Sequence, residues 1–221
     1  MPILSKRRGS VLTHGSRYAP AAGGGGGGGS TNAFDPAMMT FVSSGISGVL
    51  SNGNLTFETT TGNFSNVLAV QGSSTGKYYW EVTVGVLTGI SQVGFGNAAI
   101  NLTSGAYMGQ GNNAVGWAQD TNVYSNGGSL TAIAPFVQSD ILSVAIDFTA
   151  KLVWFRRNAG NWNNNGSANP ATGAGGISFA SLGAGPYYAA VCVQNNGDKM
   201  TANFGATAFA QSQPSGFGTW P

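Results

Sequence analysis

Short runs in which every second residue is large and apolar recur along this sequence. In Tyr79–Val84 the apolar positions are Trp80, Val82 and Val84, and Leu142–Phe148 follows the same pattern. Because successive side chains of a β-strand point to opposite faces, this period of two predicts strands with one buried face. Further strands are predicted at Leu55–Thr59, around Val93 and Phe95, around Val115 and Trp117, and at Leu152–Phe155, Tyr187–Val193 and Met200–Phe204.

Turn-forming residues separate these runs at short intervals. The chain has 36 glycines among 221 residues, and glycine favours tight turns because it adopts positive φ without steric cost. Thr149-Ala150 is predicted to form one hairpin turn. The Asn-Gly in Asn195–Asp198 predicts a second hairpin that pairs Tyr187–Val193 with Met200–Phe204. Leu152–Phe155 is apolar on both faces, which is typical of a strand between two packed layers.

Many short strands with frequent turns predict an all-β fold, a two-sheet antiparallel β-sandwich. Helix formers such as Glu, Lys and Arg are scarce, and charged residues make up only 7% of the chain, against about 25% in a typical globular domain. The aromatic residues expected to be buried between the two sheets are Trp80, Trp117, Phe148 and Trp154.

Residues 1–33 differ from the rest of the chain in charge and composition. An unbroken glycine run, Gly23 to Gly29, is typical of a flexible tether. Four cations and no acid precede it: Lys6, Arg7, Arg8 and Arg17. The remaining five Lys or Arg stand against seven Asp or Glu, so that part carries a net charge of −2. We therefore interpret 1–33 as a non-globular docking arm for an acidic protein surface, in preference to nucleic acid, and 34–221 as the folded domain.

Reactive groups that could meet in an active site are missing from the predicted domain. His14, the only histidine, lies in the arm, and Cys192, the only cysteine, lies in an apolar strand. No catalytic triad, metal site or cofactor is therefore expected. Glu58 and Glu81 could act as a glycosidase pair, but we expect them to face solvent, with Glu81 pairing with Lys77 or Arg156. No membrane-spanning segment or signal peptide is expected either.

Six blocks in the predicted domain, taken in order, resemble the SPRY domain. They are Gly76–Val82, Val93–Gly96, Val115–Trp117, Asp140–Phe148, Val153–Arg156 and Asn203–Gly205. The resemblance covers about residues 34 to 209. It implies a bent β-sandwich of the concanavalin-A-like class. It also implies a binding module for proteins or, more distantly, glycans, with contacts made by variable loops at one end of the sandwich.

Two further stretches, Arg157–Gly173 and Pro214–Phe217, resemble SPRY-type modules of bacteriophage structural proteins. That resemblance implies a non-enzymatic virion protein, made in the host cytoplasm: a head decoration, a fibre component or a tail adhesin. The arm would then dock on other virion proteins within a homo-oligomer or larger assembly. An intracellular adaptor that binds a peptide motif is the alternative, although it leaves the arm unexplained.

A tryptophan among asparagines marks the predicted contact loop. Aromatic faces and amides together suit sugars, and tryptophan is also a frequent anchor in protein contacts. Host-surface glycans or proteins are therefore the expected ligands. The alternative is that Trp162 folds back onto the sandwich and covers an apolar edge. The predicted contact residues are Asn161, Trp162, Asn163, Asn164 and Asn165, with Tyr124 and Asn126 as a possible second loop nearby.

Overall fold

The computed structural model describes residues 30–42 and 45–221 of the chain. In chain order the strands are β1 (Phe34–Met39), β2 (Phe41–Val42), β3 (Gly45–Ile46), β4 (Gly48–Ser51), β5 (Thr56–Thr59), β6 (Ser65–Ser73), β7 (Lys77–Val86), β8 (Gln92–Asn97), β9 (Ala114–Ala118), β10 (Asn122–Ser125), β11 (Gly128–Ala132), β12 (Ile141–Asp147), β13 (Leu152–Arg157), β14 (Ile177–Ser178), β15 (Tyr187–Val193), β16 (Lys199–Asn203) and β17 (Gly218–Thr219). Short 3-10 helices occupy Trp162–Asn164 and Pro170–Thr172.

The strands form two large sheets that pack face to face. The first sheet has the order β1-β6-β15-β8-β9-β10-β11, and the second has the order β14-β13-β12-β7-β16-β5-β4 with β17 beside β7. Their pairings are antiparallel, apart from the parallel contact between β17 and β7. Strands β2 and β3 form a separate two-stranded hairpin. The predicted all-β, two-sheet sandwich is confirmed, and so is the hairpin at Thr149-Ala150, which pairs β12 with β13.

The core between the sheets is built from the inward positions of the alternating strands. Trp80, Trp117 and Phe148 are buried there as predicted. Trp80 stacks on Phe204 with ring centroids 5.3 Å apart. Burial of rings this large supplies much of the hydrophobic stabilisation of a domain. It also accounts for the few charges, because so much of each strand faces a packed layer.

Trp154 is fully buried, but on the outer face of the second sheet. Its neighbours Val153 and Phe155 take the inward positions on β13, so the alternation turns Trp154 outward. It packs there against Phe217, and its Nε1 donates to the carbonyl of Ala174 at 2.8 Å. The predicted place between the sheets is therefore wrong. The prediction that this strand has a packed layer on each side is confirmed.

The predicted hairpin between Tyr187–Val193 and Met200–Phe204 is also wrong. Strand β15 pairs with β6 and β8 in the first sheet, and β16 pairs with β7 and β5 in the second. Both strands have an apolar face directed into the inter-sheet core, and a crossing connection buries both of these faces in the sandwich. Asp198 fixes that connection, because its buried carboxylate accepts a hydrogen bond from the Thr88 amide at 2.7 Å.

Two long segments, residues 158–176 and 205–221, cover the outer face of the second sheet, and we call them the outer cover. Their apolar side chains pack on Tyr79 and Trp154. The cover ends at Trp220, which is fully buried in the inter-sheet core. Its Nε1 donates to the Gln71 carbonyl on β6 at 2.9 Å, so the penultimate residue of the chain joins both sheets.

The outer face of the first sheet is covered as well. Cys192 is fully buried there in a cluster with Leu68, Ile100 and Met108. Burial raises the pKa of the Cys192 thiol to about 12, so it remains protonated at neutral pH. At the entry to the domain, the Asn32 carboxamide bonds to the Gln71 backbone just before β1 begins. Among the described residues no helix is long and apolar enough to cross a membrane.

Candidate functional site

Four strand connections meet at one end of the sandwich and enclose an open cleft of about 440 Å³. The connections are β7 to β8, β9 to β10, β11 to β12 and β15 to β16. We call this feature the end cleft. Its lining residues are Leu87, Thr88, Gly89, Ile90, Gln119, Val137, Gln138 and Gln194.

Hydrogen bonds hold two of these loops to each other. The Asp198 carboxylate accepts bonds from the Thr88 hydroxyl at 2.8 Å and from the Gly89 amide at 3.0 Å, in addition to the Thr88 amide. It also accepts from the Asn195 amide in its own connection at 3.1 Å. The Gln194 side chain accepts from the Ile90 amide at 2.9 Å. The end cleft is thus a preformed surface positioned by a buried carboxylate.

The lining of the end cleft combines apolar side chains with uncharged polar ones. None of the lining residues carries a charge, so the walls offer no general acid, general base or nucleophile of perturbed pKa. Val137 is 55% exposed and Ile90 is 37% exposed, so two solvent-exposed apolar side chains line the same cleft. Glutamine amides beside them can donate to and accept from a peptide backbone.

The predicted contact loop lies on the second sheet, and Trp162 is only partly exposed. The indole packs on the outer-face cluster, edge-on to Tyr79 at a centroid distance of 6.4 Å. The guanidinium carbon of Arg156 lies 4.3 Å from the centroid of the Trp162 ring, a cation–π contact. The ring is thus engaged within the outer cover.

The asparagines around Trp162 fall into two groups. Asn163 adopts a positive φ of 48° and turns its carboxamide inward. It donates to the Gly175 carbonyl at 2.8 Å and accepts from the Phe155 amide at 2.8 Å. Asn161, Asn164 and Asn165 are exposed. The first two of these also line a small cleft of about 80 Å³ beside Trp117, Ile133, Phe155 and Arg157.

The possible second loop belongs to the first sheet. Tyr124 lies on β10, where its hydroxyl donates to Asp120 at 2.7 Å. This hydrogen bond is the main cause of the raised Tyr124 pKa. Asn126 forms the following turn with a positive φ of 52°. Within the described residues no hydrogen bond or aromatic contact joins either residue to Asn161–Asn165.

The two glutamates considered as a glycosidase pair differ in environment. Glu58 forms an exposed ion pair with Lys199 at 3.3 Å. Glu81 is buried, against expectation, because the outer cover lies over it. Its carboxylate accepts from the Tyr79 hydroxyl at 2.6 Å and from the amides of Ala210 and Gln211 at 2.8 Å. Of its two predicted partners, Lys77 instead pairs with Asp147 at 3.3 Å, and Arg156 donates to the Ser212 carbonyl at 2.8 Å.

Two further sequence-based predictions concern a metal site and the docking arm. Within residues 30–42 and 45–221, no cluster of three His, Cys, Asp or Glu side chains could hold a metal ion. The predicted docking residues Lys6, Arg7, Arg8 and Arg17 lie outside the described residues.

Comparison with known proteins adds to this geometry. The family model for the SPRY domain matches residues 77–207, which is more than half of the chain. The chain belongs to the SPRY family. SPRY domains are in general protein-interaction modules and not enzymes. A search of curated proteins finds no match to this sequence.

Solved structures share the fold of this SPRY domain at low sequence identity. The SPRY domain of human HERC1 is 17% identical, with a TM-score of 0.61, and the match covers 77% of this chain and 97% of that one. The TRIM65 PSpry domain is 13% identical, with a TM-score of 0.55, covering 77% and 88%. A further human SPRY domain is 14% identical, with a TM-score of 0.53, covering 74% and 97%.

Sequence reasoning missed the end cleft of this SPRY domain. Val137 and Ile90 stand in loops without an alternating pattern, and Asp198 was assigned to a hairpin turn. A usable signal was present in Pro135–Ser139, an uncharged loop that contains large apolar residues.

Proposed function

We propose that this SPRY domain binds a protein partner through the end cleft and that the protein catalyses no reaction. The observation that carries the proposal is the exposure of Val137 and Ile90 at the rim of a preformed cleft. Apolar side chains in such a cleft gain free energy when a partner removes them from water.

The neutral lining indicates the chemistry of that partner. A charged side chain would lose its hydration in the cleft without gaining an opposite charge there. A segment with an apolar side chain would instead contact Ile90 and Val137, while the glutamine amides bond to its backbone. The proposed ligand is therefore an uncharged, extended peptide segment that carries at least one large apolar residue.

A peptide library displayed against the full chain tests this proposal. Selected peptides are expected to be neutral and apolar, and Val137→Asp should weaken their binding at least about tenfold. The control is Val70→Asp on β6, because Val70 is also 50% exposed but lies outside the end cleft. Equal losses from both variants, or no loss from Val137→Asp, would contradict the proposal.

The setting of this binding module is a bacteriophage particle in our proposal. The domain would be displayed as a head decoration, a fibre component or a tail adhesin, with host-surface protein or glycan as its target. Support comes from the unbalanced cations of residues 1–33, the glycine run that follows them and the phage-like sequence of Arg157–Gly173. Residues 1–33 would dock on other virion proteins.

The alternative setting is an adaptor inside a cell, and the similarity in fold to human SPRY domains favours it. Both settings use the same cleft, so particle incorporation separates them. Mass spectrometry of purified particles, together with neighbouring genes for capsid and tail proteins, would support the virion. Deletion of 1–29, which spares the buried Ser30 and Asn32, should then abolish incorporation and leave peptide binding unchanged. Absence from particles would support the adaptor.

A further inference from the structure

The edge strands of the two sheets differ in how they are protected from pairing with another chain. β1 carries Asp35 and Pro36 and has a register shift against β6. β14 has only two residues, and β11 has a register shift that leaves Leu130 without an opposite residue on β10. Charges, proline, bulges and short length all hinder pairing at an edge.

Strand β4 lacks most of these protections. It pairs with β5 in continuous register, and it contains neither proline nor charge. The sequence has no charged residue at all between Asp35 and Glu58. Three large apolar residues near this edge are exposed: Phe41 by 52%, Ile46 by 48% and Val49 by 54%. Phe41 and Ile46 lie opposite each other in the β2–β3 hairpin.

The hydrogen-bonding pattern between β4 and β5 shows which backbone groups of β4 point to β5 and which point to the edge of the sheet. The Thr60 amide donates to the Ser47 carbonyl at 2.9 Å, and Thr59 instead donates to Asp198 on the far side of β5. Bonding positions alternate along an antiparallel ladder. Val49 therefore bonds to β5, and the amides and carbonyls of Gly48 and Leu50 are directed to the edge on which no strand of the described residues pairs.

We propose that a second copy of this chain pairs with β4, antiparallel and about a twofold axis centred on Val49. A twofold axis perpendicular to the sheet places the inner face of one copy beside the inner face of the other. Two residues that lie opposite each other must therefore direct their side chains to the same face of the sheet. Centring on Val49 meets this condition, because Gly48 then lies opposite Leu50 of the partner subunit. On each side of the axis, Gly48 of one copy and Leu50 of the other exchange two backbone hydrogen bonds.

The same register explains the exposed apolar side chains. The two Val49 residues become a non-hydrogen-bonded pair, in which side chains approach most closely. Identical uncharged surfaces meet without like-charge repulsion, which favours a second copy over a charged partner. Ile46 precedes β4 by two residues and lies opposite Phe41 in the β2–β3 hairpin, so both exposed side chains belong to the segment that leads into this edge strand.

Cysteine cross-linking in the full chain tests the register. Opposed Val49 residues should lie roughly 4.5 Å apart between Cα atoms, close enough for a disulfide. Val49→Cys should therefore form a covalent dimer at least tenfold faster than Ser51→Cys, whose two copies would lie about 13 Å apart. Leu130→Cys is the exposed control on β11, and native Cys192 does not interfere because it is fully buried.

Sedimentation tests the dimer without a cross-link. The parent should sediment as a dimer at about 100 µM, and Val49→Lys should weaken the dimer at least tenfold. Glu58 lies opposite Val49 and can pair with the introduced lysine, so the fold should be retained. A monomeric parent, or cross-linking of Val49→Cys no faster than the controls, would overturn the proposal. If the parent is dimeric but Val49→Cys cross-links no faster than the controls, the dimer interface lies elsewhere in the chain, residues 1–29 included.

Discussion

The end cleft and the contact loop around Trp162 differ in whether their apolar side chains are packed or exposed. The loop contains the more conspicuous sequence, yet its indole packs beside Arg156 and Tyr79, and Asn163 bonds to the backbone. The end cleft has no aromatic lining residue, but it leaves Val137 more than half exposed. Trp162 thus contributes to packing, whereas the open apolar surface of the end cleft is built from Val137 and Ile90.

The difference follows from the layer arrangement. An antiparallel sheet usually has one face in water, whereas the second sheet here is covered on its outer face as well. Residues that cover this face must themselves be apolar, so a tryptophan in a long loop is needed for packing. Within residues 30–42 and 45–221 no layer covers the loops at the end of the sandwich, and apolar side chains such as Val137 are exposed there.

The largest expected effect concerns the covered face. Trp154→Ala should lower the free energy of unfolding by about 3–5 kcal/mol, because it removes a fully buried ring and leaves a cavity. Urea denaturation checks this, with the exposed Leu130→Ala as control. A loss below about 1 kcal/mol would mean that the outer cover does not exclude water as a core does.

The second prediction concerns the support of the end cleft. Asp198→Ala should cost about 3 kcal/mol, because the amides of Thr88, Gly89 and Asn195 lose a buried charged acceptor. Peptide binding at the end cleft should weaken as well, since two of its loops lose their common anchor. Asn195→Ala is a control, because its backbone amide still reaches Asp198. Loss of stability with unchanged peptide affinity would contradict the second part of this prediction, because it would show that Asp198 stabilises the fold without positioning the end cleft.

The alternating pattern was sufficient to predict eight strands and the sandwich, but it missed others, including β6, which pairs with β1 and β15. It placed Trp80 and Trp117 correctly because an inward position on a central strand leaves no other burial site. The same pattern could not place Trp154, since burial on an outer face depends on residues that are distant in sequence, such as Phe217. The crossing after β15 was also hidden, because the Asn-Gly turn signal is local and the interaction of Asp198 with Thr88 is not.

The candidate site was less predictable than the fold. An Asn-rich loop with a tryptophan fits both a ligand contact and a packed cover. In the structure Trp162 contacts Arg156 and Tyr79, while the neighbouring Asn161 and Asn164 are exposed. Conversely, Ile90 and Val137 are ordinary strand-forming residues in composition. Their exposure results from how four loops meet at one end, which no pattern within one loop can indicate.

The third prediction returns to the contact loop. Trp162→Ala should lower stability by about 2 kcal/mol, less than Trp154→Ala because the ring is only partly buried. Peptide affinity at the end cleft should not change. Calorimetry and a binding assay on the same variant check both parts. Unchanged stability combined with lost glycan binding would instead favour the contact role predicted from the sequence.

The fourth prediction concerns pH and the polar centre of the covered face. Burial, and then the hydrogen bond to Glu81, raise the Tyr79 pKa above its usual value near 10. The unfolded chain therefore loses this proton at lower pH than the folded chain does. The contribution of this pKa difference to the free energy of unfolding is complete below about pH 10 and is lost as pH rises further.

Tyr79→Phe tests that contribution. It should cost about 1 kcal/mol at neutral pH, through loss of the hydroxyl bonds to Glu81 and Ser143. Urea midpoints measured from about pH 9 to 11 should fall less steeply in this variant than in the parent. Cys192 titrates in the same direction in both proteins, so the difference isolates Tyr79. Parallel pH profiles would contradict the prediction.

The smallest effect is expected where the contact loop is exposed. Asn161→Ala combined with Asn164→Gly should change stability by less than about 0.5 kcal/mol, since neither side chain forms a hydrogen bond within the described residues. Glycine suits position 164 because Asn164 has a positive φ of 52°. These two asparagines line the small cleft beside Phe155, so they are the part of the loop best placed to meet a sugar. Binding to host-envelope glycans, measured for parent and variant, decides their role. Loss of binding at unchanged stability would confirm a second contact surface, and equal binding would leave the end cleft as the contact site of the domain.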